Sequence, residues 1–331
     1  MTEESWSPLR GKRLEEVRAF LGAQGLRWDE RNAYTLLLLE EDGRIAACGS
    51  LDENILKCIA VSRDRQGEGL AARLVSGLTA QAVRNGYSHL FLFTRPEKGD
   101  LFSELGFYEV AHTGDILWME NRRDGIRRFA DSLRADSPPG GVTGCIVAHA
   151  DPFTRGHQYL CEVAAASCDR LYLFILTEDR GMFPAADRLR LAQENTAHLA
   201  NVRVCGSGPY LISYASFPDY FLGESQILPS RYDLDLTAFA EKIAPPLGIT
   251  RRFVGSEPFS AVTAGYNRAM ERLLPERGIE VVELPRRESG GQIISAGRVR
   301  TLLGQGRVSE ALPLLPAATR RYLEETACRR K

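Results

Sequence analysis

The sequence has no charge excess of either sign, because its 42 lysines and arginines balance 43 aspartates and glutamates. A net charge of −1 at pH 7 argues against a nucleic-acid-binding surface. No apolar run approaches the length that spans a membrane. Residues 1–6 lack the basic start and apolar core of a secretory leader, so we expect a cytoplasmic protein without nucleic-acid or membrane partners.

Cysteines are scattered along the chain: there are seven, an odd number, and none forms a Cys-x-x-Cys motif. This pattern is typical of reduced, mostly buried thiols in an intracellular protein. No dedicated cluster of metal ligands is visible, so we predict no metal-ligating residue. With 331 residues and 44% hydrophobic content, the chain is long enough for two or three ordinary globular domains. The cysteines are Cys48, Cys58, Cys145, Cys161, Cys168, Cys205 and Cys328.

The stretch from Gly144 to Leu160 combines signals for a strand, a turn and a helix. Cys145–Ala148 is a short apolar run that predicts a buried strand, and Asp151-Pro152 ends it. A helical spacing of apolar residues begins after Gly156. Thr154 and His157 are therefore expected between a strand end and a helix start. Free N–H groups and the helix dipole favour a phosphate at such a position.

This stretch resembles the signature of the nucleotidyltransferase superfamily, (His/Thr)-x-Gly-His, in its longer form Asp-Pro-x-Thr-x-Gly-His. A second stretch, Ile294–Arg300, is similar to the superfamily's Ile-Ser-x-Ser/Thr-x-x-Arg motif, with Gly297 where a hydroxyl is usual. The resemblance implies that the Ser295 hydroxyl, helix N–H groups and Arg300 together hold the β- and γ-phosphates of a nucleotide.

The C-terminal two thirds alternate predicted strands and helices. Strands are expected at 170–177, 202–205, 251–255 and 280–284, and a helix at 185–200. This alternation predicts a Rossmann-like, doubly wound parallel sheet, which binds ligands outside the carboxyl ends of its strands. By sequence, Thr154 and His157 lie at that edge.

The N-terminal third predicts a helix at 11–23 and an antiparallel meander of strands at 34–39, 44–51 and 55–61. The loop Gln66–Ala71, Gln-Gly-Glu-Gly-Leu-Ala, then opens a helix, and Leu105–Tyr108 follows later. Both resemble motifs of the GCN5-related acetyltransferases. That resemblance implies an α+β domain whose residues Gln66, Gly67, Gly69 and Ala71 bind a CoA-like arm. Whether this domain transfers acyl groups stays open, because no general base can be assigned.

We expect domains at 1–134 and 142–331, joined by a linker at 135–141 that is rich in proline and glycine. This order of an acetyltransferase-like and a nucleotidyltransferase domain resembles the citrate lyase ligase family. Further similar segments are Asn201-Val202, Tyr210–Ser213, Phe217–Leu222, Ile243–Pro245, Arg252–Pro258, Thr263 and Tyr266-Asn267.

Membership of that family implies ATP-dependent acetylation, through acetyl-adenylate, of the thiol on a CoA-like prosthetic group. The group belongs to the acyl-carrier subunit of citrate lyase, and the cofactors implied are ATP and Mg²⁺. The resemblance implies catalytic roles for His157, Thr154 and Arg300. It implies nucleotide contacts for Ala148, His149, Asp151, Pro152, Phe153, Gly156, Gly255, Ser256, Glu257, Ile294, Ser295 and Arg298.

The sequence leaves open several interpretations of the function of the chain and of three of its residues. The chain could be an adenylyltransferase of the pantetheine-phosphate type, an acetyltransferase with a nucleotide-sensing domain, or a non-catalytic module that binds the carrier. Arg188 is either a pyrophosphate contact or an arginine on a solvated helix face. His149 either contacts the nucleotide or packs, and Glu257 either binds adenosine or caps the next helix.

Overall fold

A computed structural model describes residues 1–134, 141–178, 181–211, 227–258 and 260–329. The chain divides into two compact units. The first comprises Met1–Gly125 and the described part of Ser216–Leu234, and the second comprises the described parts of Ile126–Ala215 and Asp235–Lys331. The predicted linker lies outside the described residues except for Gly141, so the predicted domain boundaries stay a prediction. The segment Phe217–Leu222 lies outside them as well.

The first unit is built on a seven-stranded sheet with the order β1-β2-β3-β4-β5-β7-β6. Strands β1 to β4 pair antiparallel with one another, and β2 to β4 confirm the predicted meander. Strand β5 joins β4 in parallel. The strands are β1 (Thr2–Trp6), β2 (Tyr34–Leu39), β3 (Ile45–Asp52), β4 (Ile55–Val61), β5 (Phe91–Thr94), β6 (Tyr108–His112) and β7 (Leu117–Glu120).

Three helices accompany this sheet: α1 (Gly11–Ala23), α2 (Leu70–Arg84) and α3 (Gly99–Glu104). Helix α2 buries Leu70, Leu74, Val75 and Leu78, and these pack in one core with sheet residues such as Leu36. Apolar residues at helical spacing thus bury one face of α2. The packing fixes the position of the glycine-rich loop that precedes the helix.

The second unit is built on five parallel strands in the order β10-β9-β8-β11-β12. They are β8 (Thr143–Ala148), β9 (Arg170–Ile175), β10 (Val202–Gly206), β11 (Ile249–Gly255) and β12 (Glu280–Leu284). The strand order reverses between β8 and β11, and ligands of such sheets bind beyond the carboxyl ends of the strands at this switch point. The predicted doubly wound parallel sheet is confirmed.

Helices connect and flank these strands, and a small hairpin, β13 (Glu288–Ser289) and β14 (Gln292–Ile293), follows β12. The helices are α4 (Gly125–Ser132), α5 (Arg155–Ala166), α6 (Ala185–Thr196), α7 (Ile227–Ala238), α8 (Ala244–Leu247), α9 (Ala261–Leu273), α10 (Ala296–Gly304), α11 (Val308–Ala311) and α12 (Ala317–Arg329). Helix α7 begins in the first unit and belongs to the second from Asp235 onwards. Single turns of other helix types lie at Arg63–Arg65, Pro96–Lys98, Phe239–Ile243, Pro275–Arg277 and Leu312–Leu314. Across the described ranges, every helix is too short or too polar to cross a membrane.

Candidate active site

The first turn of α5 is closed by reciprocal hydrogen bonds between Thr154 and His157. The His157 backbone N–H donates to Thr154 Oγ1 at 3.4 Å, and the Thr154 backbone N–H donates to His157 Nδ1 at 3.0 Å. Because a backbone N–H can only donate, Nδ1 must be the unprotonated nitrogen of the imidazole. The proton of the neutral ring is therefore on Nε2, which remains a donor for a ligand.

The surroundings of His157 keep its ring neutral. Its pKa is lowered from 6.5 to about 4, chiefly by burial and then by the charges of Arg286, His149 and Arg300. The fully buried ring of Phe153 lies 5.4 Å from the imidazole, centroid to centroid. At neutral pH, His157 is thus an oriented, uncharged hydrogen-bond donor.

The two sequence motifs meet at Gly156. A Cβ atom on Gly156 would lie 3.0 Å from the Ile294 carbonyl oxygen and 3.3 Å from Thr154 Oγ1. Ile294 directly precedes Ser295, whose hydroxyl caps α10 by accepting from the Arg298 backbone N–H at 3.2 Å. The first turns of α5 and α10 therefore lie beside each other.

Arg300 reaches back to the loop before α5. Its Nη1 donates to the Asp151 carbonyl oxygen and lies 3.7 Å from the Asp151 carboxylate. That carboxylate is 4% exposed and accepts the backbone N–H groups of Met182 at 3.0 Å and Phe183 at 2.8 Å. Asp151 thus shapes the loop that follows β9. Pro152 and Phe153, also predicted at the nucleotide, are buried beside it.

Arg188 is completely buried and donates to four backbone carbonyls. These are Phe183 at 3.1 Å, His149 at 2.7 Å, Leu176 at 2.6 Å, and Glu178. The interpretation of Arg188 as a solvated-face arginine is wrong. Its guanidinium joins the chain segments that follow β8 and β9, and so it fixes the backbone of these two segments at the candidate site.

Two further predicted residues lie at the carboxyl end of β8: Ala148 is its last residue, and His149 follows it. Ala148 and His149 are half-buried, and burial lowers the pKa of His149, followed by the charge of Arg188. The His149 carbonyl is one of the four that accept from Arg188, so the backbone of this residue has a structural role. The residue as a whole is partly exposed, as a ligand contact requires.

Gly255 is the last residue of β11, and Ser256 and Glu257 follow it on the other side of the switch point. Both carboxylate oxygens of Glu257 have partners: one accepts the Ser260 backbone N–H at 3.1 Å, and the other pairs with Arg286. Because Ser260 precedes α9, Glu257 supports the start of that helix. Sequence reasoning missed Arg286. The available signal was its position just after the predicted strand 280–284, at the same sheet edge.

Arg298 is half-buried, and its Nη1 has no hydrogen-bond partner anywhere in the described part of the chain. A buried guanidinium N–H without a partner is costly unless a ligand completes it. Arg298 lies in the first turn of α10, the second motif's helix, which Ser295 caps. It therefore offers a free donor for an anion at the α10 terminus.

The first unit contains a separate cleft of about 620 Å³ between β4 and β5. These strands pair only at Ile55–Phe91 and Leu56–Leu92, and the cleft opens beyond that point. The predicted arm-binding residues Gln66, Gly67, Gly69 and Ala71 all line it. Gly67 and Gly69 have φ of +88° and +75°, a region that favours glycine, so the loop exposes backbone N–H groups.

Comparisons with known proteins agree with this arrangement. The family model for the citrate lyase ligase C-terminal domain matches residues 143–323, and the model for an acetyltransferase (GNAT) domain matches residues 8–116. These matches confirm the predicted order of an acetyltransferase-like and a nucleotidyltransferase-type domain.

The chain is similar to citrate (pro-3S)-lyase ligases along nearly its whole length. It is 39% identical to the Escherichia coli K12 enzyme, covering 95% of this chain and 91% of that one. It is 40% identical to the Klebsiella pneumoniae enzyme, covering 95% and 94%. A phosphopantetheine adenylyltransferase of Shouchella clausii is 27% identical, covering 38% of this chain and 86% of that one. The chain therefore belongs to the citrate lyase ligase family.

Proposed function

We propose that this protein is a ligase that activates citrate lyase by acetylating, at the expense of ATP, the thiol of its CoA-like prosthetic group. The group is carried by the acyl-carrier subunit, and the acetyl group passes through acetyl-adenylate. The observation that carries this proposal is the meeting of the two motifs at Gly156 and Ile294, in a chain of this family.

In the first step, a carboxylate oxygen of acetate forms a bond to the α-phosphorus of ATP. The bond from that phosphorus to the β-phosphate oxygen breaks, and pyrophosphate leaves with the electron pair. Charge develops on phosphate oxygens, so fixed donors around them contribute most of the catalysis. His157 donates from Nε2 to an α-phosphate oxygen, and Thr154 fixes the imidazole that makes this contact.

Ser295, Arg298 and Arg300 hold the departing pyrophosphate at the start of α10. Arg298 contributes the N–H that lacks a partner within the described ranges, and Arg300, with a side chain 39% exposed, contributes charge. The same described ranges contain no group of three or more His, Cys, Asp or Glu side chains suited to a metal ion. The Mg²⁺ that the family resemblance implies would neutralise charge on the phosphates of ATP, and we assign it no protein ligand.

The nucleoside lies along the strand ends on either side of the switch point. Ala148 and His149 line one side, and Gly255 and Ser256 line the other. Glu257 acts there through its bonds to Ser260 and Arg286. This placement follows the general rule that doubly wound sheets bind ligands where the strand order reverses.

In the second step, the carrier thiol attacks the acetyl carbonyl, a carbon–sulfur bond forms, and AMP leaves with the electrons of the broken carbon–oxygen bond. The step requires no enzyme nucleophile. Cys145, within β8, is fully buried, and burial raises its pKa, so it remains an inert thiol of the core.

The cleft of the first unit binds the CoA-like arm through the loop at Gln66–Ala71. Gly69→Asp places a carboxylate where the arm's pyrophosphate lies, and should abolish carrier acetylation. The matched control is Gly86→Asp at the other end of α2, where φ is +90° and a Cβ meets nothing within 4 Å. Both changes strain the backbone alike, so equal acetylation by the two variants would refute the arm site.

The test of the whole proposal measures AMP, pyrophosphate and acetyl-carrier formation from ATP, acetate and the thiol carrier. We expect all three products in equal amounts, and we expect His157→Ala to remove them. His198→Ala is the control, because that side chain is half exposed and pairs with Glu162 on the helix surface.

Each competing function has its own outcome in this assay. A pantetheine-phosphate type adenylyltransferase retains AMP in its product, and an acetyltransferase with a nucleotide sensor uses acetyl-CoA without releasing pyrophosphate. A binding module retains the carrier without turning over ATP. Any of these results, or full product formation by His157→Ala, would contradict the proposal.

A further inference from the structure

Arg286 joins the loops that follow β11 and β12. Its Nε donates to the Ser256 carbonyl, and its Nη2 forms an ion pair with Glu257. The two side chains are only 23% and 9% exposed, and the second Glu257 oxygen is held by the Ser260 backbone N–H. The guanidinium is therefore fixed on two edges before any ligand binds.

Backbone contacts connect this arginine to the turn that carries His157. The carbonyl of the next residue, Arg287, accepts the Ile294 backbone N–H at 2.9 Å, and the Ile294 carbonyl lies against Gly156. After burial, the charge of Arg286 has the largest effect on the His157 pKa. Both observations place Arg286 on the same side of the site as His157.

Two of the five guanidinium N–H groups of Arg286 have partners within the described ranges, and both N–H groups of Nη1 are left for a ligand. Arg286 is a cationic donor on the same side of the site as the uncharged donor His157. Such a pair suits a phosphate group that must be bound while charge develops on its oxygens.

We propose that Arg286 donates through Nη1 to the α-phosphate during acetate activation, and that Glu257 is the residue that positions it. The inference rests on the proposed function. It assigns a catalytic residue outside both sequence motifs. In the step described above, phosphorus gains the acetate oxygen and loses the pyrophosphate oxygen, and Arg286 stabilises the non-bridging oxygens throughout.

The experiment compares three variants in acetate-dependent pyrophosphate release. Arg286→Ala removes the donor, and Glu257→Gln retains a hydrogen-bond acceptor but removes the charge that orients it. The control is Arg251→Gln, because Arg251 bonds Glu280 at 2.6 Å and so joins the same two strands at their opposite ends. Each of the three variants loses one ion pair, which joins either strands β11 and β12 or the loops that follow them.

We expect Arg286→Ala to lower kcat about 100-fold, as for removal of one preorganised oxyanion donor, and Glu257→Gln to lower it by about 10-fold. Arg251→Gln should stay within about twofold of the wild-type rate, as exposed ion pairs contribute little. Added guanidinium ion should restore part of the Arg286→Ala rate. A purely structural role would not show this rescue.

Arg286→Lys provides a second test if the alanine variant does not fold, because lysine keeps the charge without the fork of donors. The Arg286→Lys variant should still bind ATP, and its kcat should be about 10-fold lower than that of the wild-type protein. Rates for Arg286→Ala or Arg286→Lys within twofold of Arg251→Gln would overturn the inference, as would the absence of guanidinium rescue. Absence of acetate-dependent release by the wild-type protein would instead refute the proposed function.

Discussion

Replacing Arg188 tests whether the chain segments that follow β8 and β9 depend on one buried guanidinium. Arg188→Met keeps most of the side-chain volume but leaves the carbonyls of His149, Leu176, Glu178 and Phe183 without this donor. A charged hydrogen bond contributes about 1.5–3 kcal/mol, so four would contribute about 6–12 kcal/mol before any opposing term. Two terms oppose this sum. In the wild-type protein, desolvation of the guanidinium costs several kcal/mol, and in the variant local relaxation of the carbonyls recovers part of the lost free energy.

We therefore expect Arg188→Met to lower the free energy of unfolding of the second unit by about 3–5 kcal/mol. Ala150 has φ +51° in the segment that Arg188 holds, so relaxation there should also weaken ATP binding. Urea unfolding followed by a probe in the second unit measures the first effect, and equilibrium titration with ATP measures the second.

The control for this prediction is Arg190→Met, two residues later on the same helix. Arg190 is 47% exposed and pairs with Asp187 and Glu194. Its loss should change the free energy of unfolding by no more than about 0.5 kcal/mol. If the free energies of unfolding of Arg188→Met and Arg190→Met lie within about 1 kcal/mol of each other, the four hydrogen bonds of Arg188 do not stabilise the second unit.

Two further predictions concern the turn at His157. Gly156→Ala should lower the rate of pyrophosphate release about 10-fold or more, because the new Cβ moves the Ile294 carbonyl; Gly304→Ala, with open space around it, should leave the rate unchanged. For His157, whose pKa is lowered to about 4, the ring should stay neutral with its proton on Nε2 from pH 8 down to pH 5.5. Nuclear magnetic resonance of the free protein measures both the charge of the ring and the position of its proton. A titration midpoint near pH 6.5, as in the urea-unfolded chain, would show that the surroundings of His157 do not lower its pKa.

The sequence was sufficient to predict those parts of the site whose signals are local. The apolar run of β8, the Asp-Pro stop and the Thr154 cap act over neighbouring residues, so the strand, turn and helix follow from their order. Alternation of strands and helices likewise predicted the parallel sheet. Boundaries were less accurate: the helix expected at 185–200 ends at Thr196.

Features set by distant contacts were not predictable. β1, Thr2–Trp6, has an almost fully exposed edge position and no apolar alternation that would mark it as a strand. Arg188 looks like any arginine on an amphipathic helix, and only the fold brings four carbonyls around it. Arg286 resembles a solvated loop residue until β12 is placed beside β11.

If this site makes an acyl-adenylate, labelled pyrophosphate should exchange into ATP. We expect exchange that requires acetate, proceeds without the carrier thiol, is lost in His157→Ala and persists in His198→Ala. Exchange that proceeds without acetate, or that requires the carrier, would contradict it.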